Sequence, residues 1–360
     1  MFLRRFWWFV FISSFGQFAC AKDDLDSEHP QEKAFTFRAP DYFPIPVDMI
    51  DNPLSKDGIE LGRYLFYEPL LSGNQQVSCA TCHHPEKAFS DGLITSNTGI
   101  SGKALERHSP ALFNLMWSTN GLFWDGGAKN LESQAFAPLT HPDEMGVHFP
   151  TMVARLAEIP SYVEMFRHAF DEAPSSAGIA KALAQFQRSI VSANAPYDQY
   201  RSGKNPKALN AQELIGLKLV QSHCASCHEG ELFTDNAYHN NGLDATFEDD
   251  SHEEVFFGRF RVTRDKKDLG AYKTPSLRNI MVTAPYMHDG RFASINDVLN
   301  HYRFGIKRSA HTDPVLLAKM SGKGIPLSDA DVDAIKAFLH QLTDHEFLNN
   351  QQYSNPHKNK

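Results

Sequence analysis

The chain has 360 residues, 42% of them apolar and 22% charged, with a formal net charge of −8. That length allows two domains of ordinary size, and that composition excludes a mainly disordered chain. The acidic balance speaks against a nucleic-acid binder, which would present concentrated positive charge, and favours a basic protein partner.

At the N-terminus, Arg4 and Arg5 precede an apolar run from Phe6 to Ile12, extended weakly to Phe15 and followed by Ala19, Cys20 and Ala21. Residues 1–21 therefore read as a secretory signal peptide, too short and wrongly flanked to span a membrane. Two processing readings stand side by side. Ala19-Cys20-Ala21 fits an A-x-A cleavage site; alternatively, Cys20 becomes the lipidated first residue of a lipoprotein, tethered by Lys22-Asp23-Asp24. Gln17 departs from the aliphatic residue that lipidation signals carry at that place, whereas a lone cysteine at this boundary favours the lipid anchor. Either route delivers the chain to the periplasm. Residues 22–40 read as an exposed tether.

The remainder shows an internal repeat. Ile59 to Leu71 (IELGRYLFYEPLL) leads into Cys79-Ala80-Thr81-Cys82-His83. Asn210, a helix N-cap, opens a run to Val220 with Leu214, Leu217 and Val220 near helical spacing, which leads into Cys224-Ala225-Ser226-Cys227-His228. Phe89-Ser90-Asp91 after the first motif is echoed by Phe233-Thr234-Asp235 after the second. Between them, Ile179, Leu183, Phe186 and Ile190 mark a helix closed by Pro196. Tyr200 to Leu209 (YRSGKNPKAL) reads as a linker. Near the end, Ser328 and Asp331 resemble a capping box ahead of an apolar face formed by Val332, Ile335, Phe338, Leu339 and Leu342. No run alternates as a strand does. The expected fold is mostly α, with two cytochrome-c-like domains over 41–205 and 206–348 and a loose tail over 349–360.

Of five cysteines, one lies at the signal boundary and four fall in the two CxxCH units, which leaves none for a structural disulfide. A zinc ribbon would bring its CxxC pairs close in sequence and would not need the histidine that follows each. A thioredoxin-type pair needs a βαβ context, and these surroundings are helical. Covalent haem uses every residue: thioether bonds from Cys79 and Cys82, and from Cys224 and Cys227, need sulfurs one helical turn apart. The next residue, His83 or His228, is then the proximal iron ligand. For the distal sides, the segment between the motifs offers Gln134, His141, Glu144, Met145 and His148. Spacing alone leaves Glu144 as a surface carboxylate and Trp124 as a core aromatic.

A series of phrases goes further: LGRYLFYEPLLSGNQQVSCATCH, SPALFN, LFWDGGAKNLESQAFAPLTHPDEMG, TPSLRNI, APYMHDGRF and SDADVDAIKAFLHQL. In their order and spacing, from about residue 53 to 345, they resemble the bacterial di-haem cytochrome c peroxidases and their relative MauG. The resemblance implies two haem c groups, a peroxidatic one on His83 and an electron-transfer one on His228. It implies Glu144 as acid–base catalyst, Gln134 in the distal pocket and Trp124 between the haems. It implies Thr283 and Pro285 as backbone ligands of an inter-haem calcium. The implied partners are hydrogen peroxide and a small cytochrome c or cupredoxin as electron donor, with a homodimer left open.

Three departures from the family pattern matter. The loop Leu93 to Leu105 (LITSNTGISGKAL) has no histidine to cap the peroxidatic iron, so that site is expected to be open at rest. His84 sits too close to the proximal side and His108 lies beyond the loop. Tyr302 stands where peroxidases carry the distal methionine of the second haem, as in MauG, with His301 and Met320 as rival ligands. Arg107-His108-Ser109-Pro110 replaces the RNxP pattern, and imidazole is a poor match for calcium. Three readings result: a peroxidase; a MauG-like oxidase of a protein or other organic substrate; and a non-catalytic electron carrier.

Overall fold

The computed structural model describes residues 35, 39–46, 49–92, 98–248 and 254–359. The signal peptide with Cys20, most of the tether and residues 93–97 of the loop after the first motif lie outside the described residues.

Polar caps start the helices at the expected places. The Ser55 hydroxyl accepts from Gly58 N at the start of α1 (Lys56–Phe66). There follow α2 (Cys79–Cys82), α3 (Leu131–Thr140), α4 (Phe149–Ala157), α5 (Pro160–Phe170), α6 (Ser176–Ser189) and α7 (Pro196–Arg201). The second half holds α8 (Ala211–His223), α9 (Phe260–Thr263), α10 (Ile295–Asn300), α11 (Pro314–Lys319), α12 (Asp329–His340) and α13 (His345–Leu348). Reciprocal capping boxes open α8, through Asn210 and Glu213, and α12, through Ser328 and Asp331. The fold is mostly helical. Among the described residues the one sheet is an antiparallel ribbon of β1 (Tyr238–His239) and β2 (Tyr272–Lys273), with Tyr238 opposite Lys273.

The internal repeat is a repeat of packing. α1 crosses α6, and α8 crosses α12. At the first crossing a Cβ on Gly62 would lie 2.0 Å from Ala182 O and 2.8 Å from Phe186 Cβ. At the second, one on Gly216 would lie 1.9 Å from Ala334 O and 2.8 Å from Phe338 Cβ. Only glycine lets the two backbones approach this closely. One hydrophobic core gathers Leu61, Leu65, Phe66, Phe89 and Phe186; the other gathers Leu217, Val220, Phe233, Phe338 and Leu342. Phe89 and Phe233, the aromatics of the F-x-D echo, pack edge-on or tilted against Phe66 and Phe338 at centroid distances of 5.7 and 6.0 Å. Each core thus holds the turn that follows its CxxCH unit.

The stretch 201–207 is exposed throughout. The tail corrects the sequence reading: it is not loose. Tyr353 packs against Phe89 and Phe347 in the first core. Tyr67 Oη donates to Tyr353 O, Arg63 Nη1 to Ser354 O at 3.1 Å, and His357 Nε2 to Tyr64 O at 3.1 Å. One aromatic in a polar run carries no periodicity, but its ring and three backbone acceptors are enough to dock the segment on α1.

Candidate haem and peroxide sites

At the first motif, Ser78 is extended and its N–H donates to Thr81 Oγ1, which starts the single turn Cys79–Cys82. His83 N closes that turn on Cys79 O at 3.0 Å. The chain then doubles back through Ala88 and Phe89, both at positive φ, which turns the Phe89 carbonyl toward the imidazole. His83 Nδ1 donates to Phe89 O at 2.6 Å, so Nε2 keeps the lone pair needed by a metal. Burial pushes His83 down to about 4, and the ring is neutral at neutral pH. The second motif repeats the device. His228 Nδ1 lies 3.1 Å from Pro275 O and 3.3 Å from Phe233 O, Phe233 again has positive φ, and burial lowers the imidazole. None of the four motif cysteines is paired in a disulfide, and burial would push the thiols of Cys79, Cys82 and Cys224 up to about 12.

A large cavity opens beside the second motif, lined by Cys224, Cys227, His228 and Tyr302 and reaching Trp124 and Gln134. Tyr302 lies on a π-helical turn, His301–Gly305, which extends α10. Such bulges recur at functional sites because they re-aim one side chain within a helix. Tyr302 Oη accepts from Asn241 Nδ2 at 3.4 Å, and burial pushes the phenol up to about 12. His301 instead donates through Nε2 to Asn241 O at 3.0 Å; neither it nor Met320 is among the residues lining the cavity.

Trp124 Nε1 donates to His108 O at 2.8 Å, and its carbonyl accepts from Lys273 N at 2.7 Å, tying it to β2. Gln134, on α3, is buried with Oε1 lacking any partner. Glu144 sits in the turn after α3, half-buried, with its backbone pinned by Ile100 N at 2.8 Å. Its charge helps to raise the Cys79 and Cys82 thiols, behind the larger effect of burial, so the carboxylate lies within electrostatic reach of the first motif. Thr283 and Pro285 line the cavity near His108. His108 is buried with Nδ1 2.7 Å from Asp91 Oδ1. An imidazole engaged in this way does not suit a calcium site.

A model of the family described as di-haem cytochrome c peroxidase matches residues 56–206. The methylamine utilization protein MauG of Methylorubrum extorquens is 38% identical over 311 residues, 85% of this chain and 83% of that protein. The cytochrome c551 peroxidase of Pseudomonas aeruginosa is 32% identical over 333 residues, 91% of this chain and 89% of that one. The chain belongs to the di-haem cytochrome c peroxidase family. A solved MauG-like protein associated with microbial copper homeostasis superposes with a TM-score of 0.81 at 31% identity, over 90% of this chain and all of that one. The family implies two c-type haems. The residues fit them: each motif presents two cysteines outside any disulfide and a neutral, backbone-oriented imidazole, and the second opens on a cavity lined by the Tyr302 phenol.

Sequence reasoning missed a third constellation. His239, on β1, lies between Asp235, 2.7 Å from Nε2, and Asp313, 2.6 Å from Nδ1. The Asp235 hydrogen bond above all raises His239, to about 11 with Cys227 as a free thiol; a thioether at Cys227 removes that sulfur's share. Asp235 belongs to the F-x-D echo, and Asp91 holds His108 in the first copy, which is the signal that could have found the pair. Because the folded value is raised, the stabilisation is complete below the unfolded value of about 6.5 and fades as pH climbs toward the folded value. Thermal melts should therefore fall from pH 7 to pH 10, and His239→Asn should flatten that slope. Equal slopes in both proteins would refute the assignment.

Proposed function

We propose that this protein reduces hydrogen peroxide at the site of Cys79, Cys82 and His83, with electrons from a small redox protein entering at Cys224, Cys227 and His228. The observation that carries this reading is Glu144, held on a pinned turn beside the first motif, with the unspent amide oxygen of Gln134 buried on the preceding helix. Bound haem supplies the iron that takes peroxide and passes electrons. Glu144 takes the proton from one peroxide oxygen and returns it to the other, so that the O–O bond breaks with water as the leaving group. Two electrons and two protons complete the conversion to water. The family resemblance gives Gln134 the role of orienting the bound peroxide; Gln134 and Trp124 both line the cavity that opens on the second motif, which puts them on the route between the two sites. Thr98 to Ala104, which has no histidine, docks on the Glu144 turn through Ile100 N. With no histidine in that loop to cap the iron, the site stands open at rest.

A second reading, MauG-like oxidation of a protein or organic substrate, is favoured by Tyr302 at the second site and by the 38% identity to MauG. Export to the periplasm, with Cys20 as a lipid anchor, goes with both readings. The as-isolated ferric protein should turn over peroxide with a reduced small cytochrome, without a lag and without prior reduction. A resting spectrum with both haems fully low-spin, or turnover only after reduction, would overturn the open-site reading. Fast peroxide consumption with no oxidation of the cytochrome would favour the second reading.

A further inference from the structure

Met287 has φ 73°, in the left-handed region, where a long side chain is rare. Residues held there persist when their surroundings fix them, and they cluster at ligand clamps. The fixing is visible. Tyr286 N donates to Phe292 O at 2.8 Å, Phe292 N to Tyr286 O at 3.5 Å, and Gly290 N to Met287 O at 3.3 Å. The loop so closed delivers Met287 to the wall of the cavity that holds Cys224, Cys227, His228 and Tyr302. One amide ties the sulfur to the phenol: Asn241 Nδ2 lies 3.6 Å from Met287 Sδ and 3.4 Å from Tyr302 Oη. The amide is itself held, since Asn241 O accepts from His301 Nε2 at the start of the π turn.

We infer that Met287 is a second axial donor for the haem attached at Cys224 and Cys227, standing beside Tyr302 on its distal face. The inference rests on the reading that Tyr302 faces that iron. The two donors differ in kind: thioether sulfur is soft and neutral, phenolate hard and anionic. Met287 is therefore matched to the ferrous metal and Tyr302 to the ferric one. Rotation about Cα–Cβ and Cβ–Cγ lets the sulfur shift toward the iron while the loop backbone stays in place.

The test uses haem-loaded full-length protein. In ferric Tyr302→Phe the second haem should stay six-coordinate and low-spin, with a sulfur scatterer at the iron X-ray edge and the weak red charge-transfer band of histidine–methionine ligation. Adding Met287→Leu should abolish both signals and leave that haem high-spin, and Met287→His in the same background should produce a bis-histidine spectrum. A Tyr302→Phe protein that is already high-spin, or that binds nitrogen or water, overturns the proposal. A Tyr302→Phe spectrum identical to wild type removes Tyr302 from the iron instead. The single variant Met287→Leu then decides: a changed spectrum keeps Met287 as the donor, and an unchanged one rejects it as well.

Discussion

Glu144→Gln should lower kcat/KM for peroxide by about 10²–10⁴-fold, the usual cost of removing a positioned acid–base group. Haem content, helicity and both resting haem spectra should stay as in wild type. The amide keeps the size of the side chain but cannot take a proton, and the turn that carries it is held by main-chain bonds: Gly73 N to Met145 O at 2.7 Å, Met145 N to Pro138 O at 3.1 Å and Val147 N to Leu139 O at 2.8 Å. The substitution therefore tests proton transfer and not folding. Asp143→Asn is the matched control one residue away, since Asp143 pairs at the surface with Lys103. It should change the rate by no more than about twofold. A Glu144→Gln enzyme within tenfold of wild type would mean that some other group, or solvent, moves the proton.

What was legible in the sequence was local. The CxxCH spacing is fixed by covalent chemistry inside one helical turn, the N-cap at Asn210 is a single residue, and the capping box at Ser328 spans four. Amphipathic periodicity located α6 and α12 because each buries one stripe. The ribbon of β1 and β2 could not be read: two residues per strand are too few to alternate. Asn241 lies 61 residues from Tyr302 and 46 from Met287, so no window over the sequence brings the three together. Gly62 and Gly216 stand at the same place in the two repeats, yet their use becomes plain only when Ala182 O and Ala334 O are seen pressed against them. The tail escaped for the opposite reason: its docking depends on backbone carbonyls, which every residue has. His239 was within reach, because Asp91 and Asp235 were both read as echoes and each proves to hold a histidine.

Arg278→Met should destabilise the haem-loaded protein by about 3–5 kcal/mol in denaturant unfolding, the cost of stranding one member of a buried ion pair. Arg278 and Asp198 are 1% and 2% exposed. Nη1 and Nη2 donate to the two carboxylate oxygens at 2.9 Å each, and Nε donates to Glu231 O at 2.7 Å. The guanidinium also lies 4.8 Å over the ring of Phe43 and 5.9 Å over that of Phe233. Asp198 in turn accepts from Tyr42 Oη at 3.0 Å and from Ala195 N at 2.8 Å, so the pair joins α7 to the turn behind the second motif. With the guanidinium gone, the carboxylate keeps those two donors and loses the buried cation it pairs with. Adding Asp198→Asn to Arg278→Met removes the stranded charge, and the double variant should be less destabilised than the sum of the singles, by about 0.5–3 kcal/mol. Additive losses, or a single loss below about 1 kcal/mol, would show that solvent reaches the pair. Because Glu231 and Phe233 shape the turn whose carbonyl lies against His228, Arg278→Met should also broaden the spectrum of the second haem while leaving the first unchanged. A merely global loosening would disturb both haems, so that asymmetry separates a local role from a general one.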